Sequence, residues 1–381
     1  MTDFAFAAGG RLHVRLGGAA PRLLESAFAG TVRDRAQEIH RRHSWKGEGS
    51  QGGFGAIAWG RQPSGPPSVE ARVTGLTRGP AEELLYALEV DRLTAVCACD
   101  ARSGSERRLL HGSKTRIRDL SARPDRDEVA CSLLHPDGTA SIALMSREAA
   151  DLRQVTEGES LDLFPAWADD GTPRIVYQSS GLGRDAAGRP AGFGRFEIHA
   201  LDLQRGQVET LAADPAADLE RPRIGRDGAL HYLCRPHGGA RASVPALLKD
   251  LVLLPPRLIY ALFQYLNFFS ARYTGKPLTT TGGPQGQPGD LRRMLQWANL
   301  ADAQQQAQDT EEPGGVPRSH RLLRVRGSAP AEALAQGVAC YELAPDGSIL
   351  YATGSGVHRL GQDGRSERLC DAAGVEALVA L

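Results

Sequence analysis

The chain has 381 residues, 41% of them hydrophobic and 24% charged, enough apolar material for one large domain or two ordinary ones and too much for a disordered chain. Its 45 Lys and Arg are balanced by 45 Asp and Glu, so it lacks the cationic excess with which nucleic-acid binders displace counterions, and no nucleic acid is expected as a partner. Six scattered cysteines form no C-x-x-C pair, which sets aside a disulfide framework and a zinc knuckle and reads as small core residues in a reducing compartment. Met1 to Gly18 carries no apolar h-region, so no secretory signal is expected and the cytoplasm is the expected location.

Taken in chain order, the apolar runs are short, alternating and punctuated by Gly and Pro, as in an all-β protein built from hairpins. Phe4 to Ala8, Arg11 to Leu16 and Arg22 to Glu25 read as three strands of a unit lacking its first. Residues 26–68 form an inserted segment. A weak repeat follows at Val69 to Thr74, Leu84 to Leu88, Leu93 to Cys97 and Glu106 to Leu110. The next runs from Arg118 through Glu128 to Leu134 and Ser141 to Met145, ending at Leu152 to Thr156. The clearest runs from Asp162 to Gly171, then Arg174 to Gln178, Phe196 to Leu203 and Gln207 to Leu211. Arg221 to Gly228 and Ala229 to Leu233 open a fourth, whose remaining strands resume at His320 to Val325 and Ala331 to Leu334. A fifth spans Ala339 to Cys370.

Val375 to Leu381 is left as an orphan strand, and joining it to the N-terminal three completes a sixth unit. Closure of this kind pairs strand edges that would otherwise stay open. The expectation is a six-bladed β-propeller spanning 1–381 and closed by its N- and C-terminal strands, with a helical insertion with flexible ends at 236–319 in the fourth full repeat.

Pro165-Ala-Trp-Ala-Asp-Asp-Gly171 followed by Ile175-Val-Tyr177, with Pro-Asp-Gly at Pro136 to Gly138 and again at Pro345 to Gly347, resembles the WD40-like (PD40) repeats of TolB-type six-bladed propellers. The resemblance implies that Trp167, Ile224 and Leu343 occupy equivalent positions between blades. It implies architecture rather than activity, since propellers host many functions.

Long departures from the repeat carry the functional expectations. Ser26 to Ser68, Ser179 to Arg195 and Pro236 to Ser319 are blade-to-blade or second-to-third connections, and all three are expected on one face. Within the largest, helical spacing gathers Leu258, Ile259, Leu262, Phe263, Tyr265, Leu266 and Phe269 into an apolar surface suited to the propeller rim or a partner protein. A membrane-spanning helix is not expected, because Pro255 and Pro256 split the run and Arg257 lies inside it. Interfacial attachment through 244–273 is a lesser alternative. Thr31 to His43 reads as a short helix, and Arg41, Arg42 and Trp45 combine basic groups with an aromatic that could grip an acidic peptide.

No G-x-S-x-G elbow or complete phosphate loop is present, and no cofactor is expected. Asp119, Asp162, Arg221 and Glu376 lie near innermost strands and are candidates to face the central channel. The leading expectation is a non-enzymatic interaction scaffold, by analogy within a bacterial multi-component complex. Its rivals are a metal-assisted hydrolase or lactonase using channel carboxylates, and a peripheral membrane adaptor.

Overall fold

The computed structural model describes residues 2–48, 69–80, 83–91, 93–123, 126–147, 151–184, 190–236 and 315–381. Their strands form antiparallel four-strand meanders. The first closes the chain on itself: β1 (Phe4–Ala8), β2 (Arg11–Arg15) and β3 (Arg22–Leu24) are preceded in the sheet by β25 (Val375–Ala380). Phe6 pairs with Leu378 and Phe4 with Ala380, and the Leu381 amide donates to the Asp3 carbonyl at 3.0 Å. The clasp joining both chain ends in one sheet is therefore present.

The next meander is β4 (Ala71–Arg78), β5 (Glu83–Val90), β6 (Leu93–Asp100) and β7 (Glu106–Gly112). Two more share a nine-stranded sheet: β8 (Arg116–Ala122), β9 (Glu128–Leu134), β10 (Ala140–Ser146) and β11 (Leu152–Gln154), then β12 (Ser160–Trp167), β13 (Arg174–Arg184), β15 (Glu197–Asp202) and β16 (Gln207–Ala212). They touch through a parallel bridge between Ala140 and Leu161. The short β14 (Pro190–Phe193) pairs with the far end of β13, so part of Ser179 to Arg195 is an extension of the sheet rather than a loop. The remaining meanders are β17 (Ala217–Ile224), β18 (Leu230–Pro236), β19 (Arg321–Val325) and β20 (Glu332–Gln336), followed by β21 (Cys340–Leu343), β22 (Ile349–Ala352), β23 (Gly356–Leu360) and β24 (Ser366–Asp371).

The Asp-Gly motifs have a direct physical role. Between first and second strands, Asp170, Asp227 and Asp346 each turn a carboxylate oxygen back onto the amide two residues on, those of Thr172, Ala229 and Ser348, at 3.0, 3.1 and 2.9 Å. The following Gly171, Gly228 and Gly347 take φ of 81°, 73° and 77°, which glycine adopts without Cβ strain. Asp137 and Gly138 make the same kind of turn between β9 and β10, a second-to-third connection, so this copy of the motif sits at the opposite strand end from the other three.

Adjacent sheets meet through apolar layers. Trp167, at the end of β12, packs with Ala130, Ile142 and Leu144 of the preceding meander. Ile224, at the end of β17, packs with Ala166, Val176 and Ile198, and Leu343 is partly buried against a cluster containing Leu233 and Leu322. The three residues thus have matching positions at the ends of innermost strands.

The predicted short helix is longer than expected. The helix α1 runs Ala27–Glu48, with Ser26 Oγ accepting the Ala29 amide at 3.2 Å as its N-cap. Glu106 of β7 accepts the Phe28 amide at 3.0 Å, and Arg108 lies over the Phe28 ring at 5.3 Å. Phe28 and Ala29 are buried against the first two meanders, which ties the root of this excursion to the ring. Strand alternation brings the β3–β4 link, the β13–β15 excursion and the β18–β19 span out from the same strand end. No helix among the described residues is long and apolar enough to cross a membrane.

Candidate functional site

The innermost strands enclose a cavity of about 100 Å³, and each contributes to its wall: Val73 from β4, Asp119 from β8, Phe164 from β12, Arg221 from β17, Tyr341 from β21 and Leu378 from β25. A cavity lined by the first strand of every meander is an axial one.

Three of these residues stand at β-bulges with left-handed backbones. Asp119 has φ 51°, Phe164 51° and Arg221 53°. Each coincides with a slip in its ladder, between Arg118 and Leu120, Leu163 and Ala166, and Glu220 and Arg223. Two slips contain a proline, Pro165 or Pro222, which has no N–H for the ladder and favours a bulge. Aspartate tolerates this backbone, whereas Phe or Arg there costs on the order of 1–3 kcal/mol that the surroundings must offset. Neighbouring meanders hold Arg221 in place: its amide donates to Gln178 Oε1 at 2.8 Å, and its carbonyl accepts the Tyr341 hydroxyl at 2.7 Å. Burial pushes the Tyr341 phenol far above its ordinary range, keeping it a donor at neutral pH.

Four arginines, Arg72, Arg118, Arg221 and Arg223, are among the residues lining the cavity. Arg72 bonds Glu376 at 2.9 Å, and Arg223 bonds Glu342 at 2.6 Å. Burial raises the Glu342 carboxyl above the usual carboxylate range even with Arg223 beside it. Arg118 Nε faces Asp119 Oδ2 at 3.6 Å, too far for a hydrogen bond, and both atoms are buried without a hydrogen-bond partner among the described residues. Arg221 differs from the other three. Its guanidinium lies 4.2 Å from the Phe164 ring centroid, and no carboxylate among the described residues forms an ion pair with it.

The sequence-derived channel candidates separate here. Asp119, Arg221 and Glu376 line the axial cavity. Asp162 does not: it is buried and accepts hydrogen bonds from Thr156 Oγ1 at 2.6 Å and Ser179 Oγ at 2.7 Å, so its carboxylate ties β12 to the preceding connection and to β13. Arg72, Arg118, Arg223 and Phe164 were missed. Pro165 and Pro222 inside strands were the available signal for bulges, and a bulge breaks the alternation by which inward residues are counted.

Arg42 is exposed on α1 and pairs with Glu38 one turn earlier. Arg41 and Trp45 belong to the same helix, but their side chains lie outside the described residues, as do Leu258, Ile259, Leu262, Phe263, Tyr265, Leu266 and Phe269. Among the described residues there is no group of three or more His, Cys, Asp or Glu side chains that could hold a metal ion.

Solved structures place the fold. TolB from Acinetobacter baumannii gives a TM-score of 0.53 at 12% identity over 100% of this chain and 66% of that one, so this chain spans just under two thirds of that protein. The nidogen/laminin complex gives 0.50 at 7% identity, over 100% and 98%. A putative TolB from Agrobacterium tumefaciens gives 0.44 at 14% identity, over 81% and 83%. No family model matches the sequence, and no curated protein does. The fold is that of a TolB-like β-propeller.

Proposed function

We propose that the protein is a non-enzymatic interaction scaffold, a closed ring that presents one decorated face to a protein partner within a larger assembly. The observation supporting this reading is the common exit of the long excursions from one strand end. A ring closed by its own termini fixes the roots of those excursions, and rigid display lowers the ordering cost of association. Similarity to a propeller solved in the nidogen/laminin complex agrees with such a role in kind. Under this reading Leu258, Ile259, Leu262, Phe263, Tyr265, Leu266 and Phe269 supply apolar anchors, with Arg41, Arg42 and Trp45 contributing from the β3–β4 link. The six free cysteines favour a cytoplasmic setting.

The test compares the tagged full-length protein with Phe263→Asp and Leu266→Asp variants in quantitative affinity capture from native lysate, with circular dichroism as the control for folding. The reading requires a stoichiometric protein partner that both variants lose by about tenfold or more. Capture unchanged in both variants counts against it.

A further inference from the structure

We propose that the groove between the meander of β17 to β20 and that of β21 to β24 binds an uncharged sugar, one of whose hydroxyls donates to His231. The groove has a volume of about 780 Å³, within the range of about 300–1,000 Å³ that small-molecule sites occupy. Its walls include first-to-second and third-to-fourth turns, at Gly225 to Asp227, Ala344 to Ser348 and Gly361 to Gly364. It therefore opens at the strand end opposite to the long excursions and is independent of the partner reading.

The argument starts from His231, which lines the groove and is 5% exposed. Burial lowers its pKa, so the ring is neutral at pH 7. Its Nδ1 lies 3.2 Å from the Ala229 carbonyl oxygen, an acceptor only, which places the one ring proton on Nδ1 and leaves Nε2 as a lone-pair acceptor. Nε2 has no hydrogen-bond partner among the described residues, and it is not sealed from solvent. A desolvated imidazole held at the foot of a groove costs stability that a donor on a ligand recovers.

The rim specifies the charge of that ligand. Asp169, Asp227, Glu332, Asp346 and Asp363 line the groove, and each forms an ion pair with an arginine, at distances from 2.7 to 3.8 Å. With every carboxylate neutralised in this way, neither an anion nor a cation gains without breaking a pair. Hydrogen-bonding capacity nonetheless remains. Arg326 meets Asp227 through Nε and keeps both terminal nitrogens as donors, while each paired carboxylate retains lone pairs. Leu334, Leu343 and Leu360 add apolar surface between these groups. A sugar matches the combination: no charge, hydroxyls that donate and accept, and a C–H face.

Isothermal titration calorimetry of the full-length protein provides the test, with D-glucose, D-galactose and D-mannose as neutral probes. D-glucuronate and D-galacturonate are their anionic counterparts, and spermidine is a cation. The expected result is saturable binding of at least one hexose at one per chain, with the uronates and spermidine weaker by about tenfold or more. Maltose, lactose and mannobiose present the same hexoses at a chain end: tighter binding than the monosaccharide identifies a glycan as the source, weaker binding a free sugar. His231→Phe keeps a planar ring, removes the acceptor and should weaken the preferred probe by about tenfold. Should that variant unfold by circular dichroism, Leu334→Trp, at a half-buried position on the outermost strand β20, fills the groove instead and should weaken binding by about tenfold or more. The proposal is overturned if no hexose or disaccharide saturates by about 50 mM, a limit that captures even millimolar affinity. It is equally overturned if a uronate or spermidine binds as tightly as the preferred sugar, or if a folded His231→Phe or Leu334→Trp variant binds as the parent does.

Discussion

Gly75 of β4 lies so close to Asp119 of β8 that a Cβ on Gly75 would stand 2.7 Å from the Asp119 amide nitrogen and 3.0 Å from that of Leu120. The obstructing atoms are backbone, so they cannot swing aside as a flexible side chain would. Gly75→Ala should therefore lower the denaturation midpoint by the equivalent of about 1–3 kcal/mol, as overpacking does. Gly30→Ala on α1, where a Cβ meets nothing within 4 Å, is the control and should be neutral or stabilising. Equal losses at both positions would remove close approach as the explanation.

The clasp makes a second expectation. Phe6 and Leu378 are register partners from opposite ends of the chain, and each is 3% exposed. Phe6→Ala or Leu378→Ala alone should cost about 3–4 kcal/mol in chemical denaturation. Because the two are paired, the double variant should lose less than the sum of the singles, whereas Phe6→Ala combined with Leu201→Ala, in a different core cluster, should be additive.

Much of this architecture was legible in the sequence, and the reason is local. Asp170, Asp227 and Asp346 carry their own turn chemistry, so each marks a hairpin without reference to the rest of the chain. Val375 to Leu381 was legible for a different reason: an alternating strand left over at one end matches a meander missing its first strand at the other. The axial wall was legible only in part. Asp119, Arg221 and Glu376 were reachable by position along innermost strands, but Asp162 is two residues from Phe164 and falls on the wrong side of the same bulge count. Its burial is explained by Thr156 and Ser179, a tertiary match that no spacing rule contains.

Thiol chemistry offers a third check. Cys97, Cys99, Cys131, Cys234 and Cys340 are buried, whereas Cys370 is only partly so. Burial pushes the Cys97 and Cys131 thiols up to about 12 and those of Cys99 and Cys340 to about 11. At pH 8 the folded protein should therefore show one reacting thiol with a disulfide-exchange reagent, and six after denaturation. Cys370→Ser should remove the reaction of the folded form. Rapid reaction of several thiols under native conditions would contradict the buried assignments.

The fourth concerns pH. His320 is buried, and desolvation, with Arg235 nearby, lowers its pKa to about 4. An unfolded chain binds a proton at this residue near the ordinary value of about 6.5. The unfolded state thus holds more protons between those values, so the stabilising contribution is complete above pH 6.5 and is lost as pH falls toward 4. His231 and His358 are shifted down as well, chiefly by burial, and act in the same direction. Thermal midpoints measured from pH 7.5 down to about 4.5 should decline, and His320→Gln should flatten the decline. A slope unchanged by that substitution would assign it to other groups.

The pairing of Phe4 with Ala380 also governs how the fold can be reached. It joins residues separated by almost the entire polypeptide, so its loop-closure entropy must be met before the contact returns any free energy, and each doubling of such a loop adds about 0.6 kcal/mol. Topologies dominated by distant pairings fold slowly. A circular permutant that links the adjacent termini and opens the chain at an exposed turn would convert this closure into an ordinary hairpin. Such a permutant should refold faster while keeping the same sheets, with speed and equilibrium stability responding separately to one change of connectivity.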